Sequence, residues 1–144
     1  MSAGLGMDLV RIERIRRVLD DHPERFRARV FTPTECRDAA DRGAGEVASL
    51  AARFAAKEAA LKALGTGRGS GIGWKDVEVQ RTGSGAPILL LHGAAADRAR
   101  MLGLSNWRVS LTHDRETAGA VVVADSAGGC LLYTSDAADE VLGG

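Results

Sequence analysis

Residues 53–67 read RFAAKEAALKALGTG, an alanine-rich helix with a Lys57-Glu58 pair in its middle, Lys62 one turn on, and a glycine turn at its end. Alanine is the best helix former, and glycine ends helices by adopting a left-handed conformation. The reading is therefore a helix over about 47–64 that stops at Gly65. At about 100° per residue, Leu50, Phe54, Leu61 and Leu64 make one apolar stripe. Lys57 falls inside that stripe and Glu58 sits on its shoulder. Charges along a helix built for burial need a reason. One is a solvated i,i+4 pair between Glu58 and Lys62, worth about 0.2–0.5 kcal/mol, with Lys57 stretching its ammonium to water. The other is that a half-buried carboxylate is costly unless a cation meets it.

Working outward, GLGMDLV (4–10) alternates, with Leu5, Met7 and Leu9 on one face and Gly6, Asp8 and Val10 on the other, the period of a short strand. RIERIRRVLDD (11–21) sets Ile12, Ile15, Val18 and Leu19 at helical spacing. FTPTE (31–35) opens a helix, with Thr32 as N-cap, Pro33 in the first position and Glu35 closing a capping box. WKDVEVQ and APILLL flank RTGSG as one hairpin, GAAADRARMLG is a short helix, and NWRVSLT and AGAVVVA flank HDRE as a second hairpin. The predicted architecture is a single α+β domain, an antiparallel sheet with hairpins packed on a long central helix.

Composition narrows the function classes. A chain of 144 residues with 45% apolar and 26% charged side chains suits one globular domain with a real core. The start has no signal-peptide pattern and no apolar run reaches membrane-spanning length, so cytoplasm is the expectation. Cys36 and Cys130 are too few for a disulfide framework or a metal cage. Residues 11–29 carry seven arginines against four acids, with Phe26 the one aromatic among them, and the net charge is modest, which argues against nucleic acid. The formal charge of zero hides the acidic segment CLLYTSDAADE (130–140), outside which the net is +3. That segment has neither helical nor strand period, and it back-translates to a transposase sequencing adapter. The expectation is a domain over 1–129 and, over 130–144, a disordered tail arising from adapter read-through.

The run GTGRGSGIG (65–73) is neither a Walker loop nor a dinucleotide fingerprint, since it follows a helix instead of opening one. It can bring backbone N–H groups and Arg68 close to an anion. Carboxylate, lysine and anion-tolerant loop together suggest a divalent cation and a phosphate.

Three separated pieces then line up. GMDLVRIER (6–14) fits G-x-D-x-x-x-x-x-R, RFAAKEAALKALGTG carries a K-E-A core with a trailing lysine and G-T-G, and SLTHDRETAGAVVV (110–123) is similar to an S-x-S-H segment running into a strand of small residues. Over about residues 4–125 the chain resembles the holo-acyl-carrier-protein synthase family of phosphopantetheinyl transferases. The resemblance implies transfer of 4′-phosphopantetheine from coenzyme A to a serine of acyl carrier protein, with release of adenosine 3′,5′-bisphosphate. It implies Mg²⁺ on Asp8 and Glu58, Lys62 at the phosphates, and a homotrimer with active sites between subunits. The base for the serine proton is Glu58 or a metal-bound water. Asp8 has a competing role as N-cap of a helix beginning near Val10.

Arg53, Lys57, Gly65, Thr66 and Gly67 become candidates for the coenzyme A phosphates, with structural salt bridges as the alternative for Arg53 and Lys57. His113 becomes a coenzyme A contact, and Arg11, Arg14 and Arg17 face an acidic carrier surface. The chain departs from the family at Gly85-Ala86-Pro87, where Gly-Lys-Pro is usual and a phosphate contact is lost, and at Thr112, which replaces a serine. A second reading is a catalytically silent module of the same fold that binds coenzyme A or carrier protein. Two carboxylates suited to a metal speak against it.

Overall fold

Short side chains decide how closely the chain can wrap its central helix. In the computed structural model, which describes residues 2–66 and 71–126, that helix spans Glu46–Ala63, and seven of its buried positions are alanines. Before it come β1 (Ala3–Arg11), α1 (Ile12–Asp21), α2 (Pro23–Val30) and α3 (Pro33–Ala40), which makes the central helix α4. After it come β2 (Val77–Arg81), β3 (Pro87–Leu91), α5 (Gly93–Met101), β4 (Asn106–His113) and β5 (Thr117–Asp125). Gly67, Arg68 and the tail from residue 127 lie outside the described residues. No helix among those described is long and apolar enough to cross a membrane.

The sheet is antiparallel, as expected, but divided: β1-β5-β4 form three strands and β2-β3 a separate pair. The register pairs Asp8 with Ala120 and His113 with Ala118. The inner face of the larger sheet offers Ala118, Ala120, Val122 and Ala124 from β5, all buried against α4. On β1 the approach is closer still. A Cβ on Gly6 would stand 1.9 Å from the Ala59 carbonyl oxygen, and one on Gly4 would stand 2.6 Å from that of Ala63. Only glycine lets strand and helix backbones meet there.

The capping box before α3 is complete, with Thr32 Oγ1 accepting from the Glu35 N–H and Glu35 accepting from that of Thr32. α1 starts at Ile12 with Arg11 as its uncapped N-cap, so Asp8 sits inside β1 and caps nothing. One helix goes beyond the sequence reading. α2 has no regular apolar repeat, yet Phe26 anchors it edge-on to Phe31 and beside Phe54, which stacks on Trp74 at 5.0 Å.

Candidate active site

The contacts of Gly4 with Ala63 and Gly6 with Ala59 run β1 along α4, one helical turn for every two strand residues. The next step of that progression sets Asp8 beside the turn that carries Glu58. Lys62 bridges the two elements, its Nζ donating to Asp8 Oδ1 at 3.1 Å and to the Met7 carbonyl at 2.9 Å. The expected i,i+4 surface pair is not what Lys62 makes. Glu58 is half-buried, with no hydrogen bond or ion pair among the described residues. A carboxylate and a lysine thus meet at one seam, with the Glu58 carboxylate one turn before Lys62 on the same helix. The described residues contain no cluster of three or more His, Cys, Asp or Glu side chains. Two hard oxygen donors fit Mg²⁺, which takes one or two carboxylates and completes its shell with phosphates and water.

Lys57 is corrected by the structure. Its side chain is 1% exposed and its Nζ donates to Glu35 Oε1 at 2.8 Å, to the Trp74 carbonyl at 3.1 Å and to the Val77 carbonyl, with the Phe31 ring beneath. Glu35 is fully buried, and its second oxygen accepts the Val79 N–H at 2.9 Å. Burial pushes the Lys57 ammonium down from its ordinary value while Glu35 opposes that shift. All three of its donor positions are committed inside the core, so Lys57 is structural and cannot reach a phosphate.

Arg53 and His113 come together. Both line a cavity of about 550 Å³ between α4, β4 and the β2–β3 corner, with Arg42 and Arg81. Arg53 donates to Ser49 Oγ, and its Nη2 lies 3.7 Å from Asp38 Oδ2. Burial lowers its pKa, which Glu35 and Asp38 partly offset. His113 is exposed at the end of β4. Asp114 forms the turn beside it, accepting the Thr117 and Glu116 N–H groups at 2.8 Å each, bonds that hold its carboxyl below the usual range. Sequence reasoning missed Arg42 and Arg81, because three separate chain segments build this cavity.

The glycine turn is only partly available. Gly65, at φ +69°, and Thr66 donate their N–H groups to Lys62 and Leu61 carbonyls, closing a Schellman cap. Over these two residues the expected amide cradle is therefore already spent on the helix end, where the Thr66 hydroxyl also donates to the Leu61 carbonyl at 3.4 Å. Arg11, Arg14 and Arg17 are exposed along α1 and make no ion pair among the described residues. On the far face of the larger sheet, Leu5, Met7 and Leu9 are 65%, 58% and 69% exposed, with Val123 beside them.

Comparison with known proteins covers nearly all of this architecture. Residues 4–121 match the model of the 4′-phosphopantetheinyl transferase superfamily. The chain is 50% identical over 131 residues to a holo-[acyl-carrier-protein] synthase of Anaeromyxobacter sp. (strain K), covering 89% of this chain and 99% of that one. Among solved structures, the holo-[acyl-carrier-protein] synthase of Neisseria meningitidis superposes with a TM-score of 0.75 at 32% identity, over 85% of this chain and 98% of that one. The Helicobacter pylori enzyme, solved in complex with coenzyme A, gives 0.74 at 29% identity, over 84% and 99%.

Proposed function

The chain belongs to the 4′-phosphopantetheinyl transferase superfamily, and from that premise we propose that it transfers 4′-phosphopantetheine from coenzyme A to a serine of an apo acyl carrier protein. The observation that carries the reading is the contact of Lys62 with Asp8 across the β1–α4 seam, with Glu58 one helical turn before Lys62. The serine oxygen forms a bond to the phosphorus that bears pantetheine, the P–O bond to the bridging oxygen breaks, and adenosine 3′,5′-bisphosphate leaves. Glu58, without a hydrogen-bond or ion-pair partner among the described residues, accepts the serine proton. Lys62 stabilises charge growing on the phosphate oxygens. Asp8 and Glu58 would hold Mg²⁺, which when bound neutralises pyrophosphate charge.

Two further features support a homotrimer with shared sites. Lys62 lies about 180° round α4 from Arg53 at about 100° per residue, so one coenzyme A that meets both requires two copies of the chain. The apolar stripe Leu5-Met7-Leu9 gives such copies a surface to bury. Arg11, Arg14 and Arg17, without an ion pair among the described residues, suit an acidic carrier, and the cytoplasm, where coenzyme A and carrier meet, is the proposed location.

Mass spectrometry tests the reading directly. Apo carrier incubated with coenzyme A, Mg²⁺ and the chain should gain one phosphopantetheine at the serine. Chelation of divalent metal should stop the gain, and Glu58→Gln should abolish it without loss of fold. A carrier that stays apo favours the silent binding module instead.

A further inference from the structure

The two acids of α3 each hold α4 and β2 at once. Glu35 accepts from Lys57 Nζ at 2.8 Å, and Asp38 Oδ2 lies 3.7 Å from Arg53 Nη2. Glu35 also accepts the Val79 N–H at 2.9 Å, and Asp38 accepts that of Arg81 at 3.1 Å. Amides two residues apart leave a strand on one edge, so these carboxylates close the edge of β2 that β3 leaves open. Lys57 completes that edge by donating to the Val77 carbonyl, and it adds the Trp74 carbonyl at 3.1 Å. The Lys57 and Glu35 side chains do this at 1% and 0% exposure.

The need for such an anchor follows from what surrounds it. Side-chain ridges seated in grooves ordinarily fix how a helix sits on its neighbours. Seven of the buried positions of α4 are alanines, and β1 meets the helix through Gly4 and Gly6. Surfaces this smooth approach closely but interlock little, so apolar packing selects the separation more sharply than the rotation. Hydrogen bonds are directional. Arg53 is too far from Asp38 to make one, so directional holding between α4 and its neighbours α3 and β2 falls to Lys57. Glu58 is the next residue, about 100° further round the helix. It has no hydrogen bond or ion pair among the described residues, so its carboxylate goes where the helix sends it.

We propose that Lys57 and Glu35 are a positioning pair for the transfer reaction, fixing the rotation of α4 and so the aim of the Glu58 carboxylate, without either one touching a substrate. The proposal rests on Glu58 acting in phosphopantetheine transfer, and one test reads turnover while the other reads geometry. The variant Glu35→Gln/Lys57→Met removes both charges with groups of similar shape. It is assayed below its unfolding transition, with circular dichroism confirming the fold. Its kcat should fall on the order of 100-fold, the cost of misplacing a reacting group by about 1 Å, while KM for coenzyme A moves less than about twofold. In a Glu58→Asp background the same pair of substitutions should cost less than about threefold, because aim lost through one carboxylate is not lost twice. A crystal structure of the variant should show the Glu58 carboxyl carbon displaced by about 1 Å relative to β1.

A kcat that falls only with the folded fraction, a loss that simply adds to that of Glu58→Asp, or an undisplaced Glu58 carboxyl overturns the proposal. If the double variant does not fold, Glu35→Gln alone makes the same three comparisons. A parent chain that transfers nothing removes the transfer reading and leaves the crystal structure to decide the positioning, displacement supporting it and a fixed Glu58 overturning it.

Discussion

Lys57 and Glu58 are neighbours in sequence and opposites in fate. The helical wheel identifies Lys57 as the residue deepest in the apolar stripe, but its partner is 22 residues away, in a carboxylate already accounted for by its capping role. One side chain can serve a local and a distant partner at once, and only the local one leaves a signature at fixed spacing. Lys57→Met should therefore strand Glu35 and cost about 3–5 kcal/mol in urea denaturation. The double variant Glu35→Gln/Lys57→Met should recover much of that, since two groups of similar shape without charge replace the pair. Lys62 is different, being exposed and paired across the seam. Lys62→Ala should lower kcat about 100-fold, as removal of a transition-state donor does. A rise in KM alone would instead mark it as a ground-state phosphate contact.

Among the elements, those with local signals were legible: the capping box of α3, the two hairpins, and the alanine helix closed by Gly65. α2 was not, because its arginines give no apolar period and its one large anchor, Phe26, acts through contacts with Phe31 and Phe54. The seam between β1 and α4 was half legible, since alternation puts Gly6 and Asp8 on one face without saying that Gly6 touches Ala59. Gly6→Ala should cost about 1–3 kcal/mol or more through overpacking. It should also lower transfer beyond what the loss of folded protein explains, because it pushes Asp8 off α4. β2 carries the element-scale pH dependence. Burial raises the Glu78 carboxyl, but hydrogen bonds from Thr32, His92 and Gln80 together outweigh it and leave its pKa lowered. The unfolded chain therefore takes up the proton first on acidification. The resulting stability is complete above the ordinary carboxylate value, about 4, and is lost as pH falls through the lower folded-state value. Glu78→Gln should flatten that acid limb in denaturation curves recorded against pH.

At the scale of the whole molecule, the sequence indicated which strand face of β1 is apolar and which is polar. It gave no sign that the apolar face would look outward, because alternation is symmetric and the core here lies on the side of the glycines. That inversion makes the assembly testable. Leu5→Glu places a charge on an already exposed position, so the single chain should still fold. Light scattering coupled to gel filtration should then find monomer where the proposed assembly gives the parent as a trimer, and transfer should fall with it. A Leu5→Glu chain that remains trimeric would move the interface to another surface.

The contact of Gly6 with Ala59 also bears on how this site can change over generations. The nearest atoms that a side chain at Gly6 would meet all belong to the α4 backbone, which no substitution can trim. A residue enlarged at Gly6 therefore has no second-site suppressor among the side chains of α4, although most crowded positions can be relieved from either side. Genetic selections for regained activity after such a change should return true revertants, or changes elsewhere that let α4 slide as a unit, and none at Ala59.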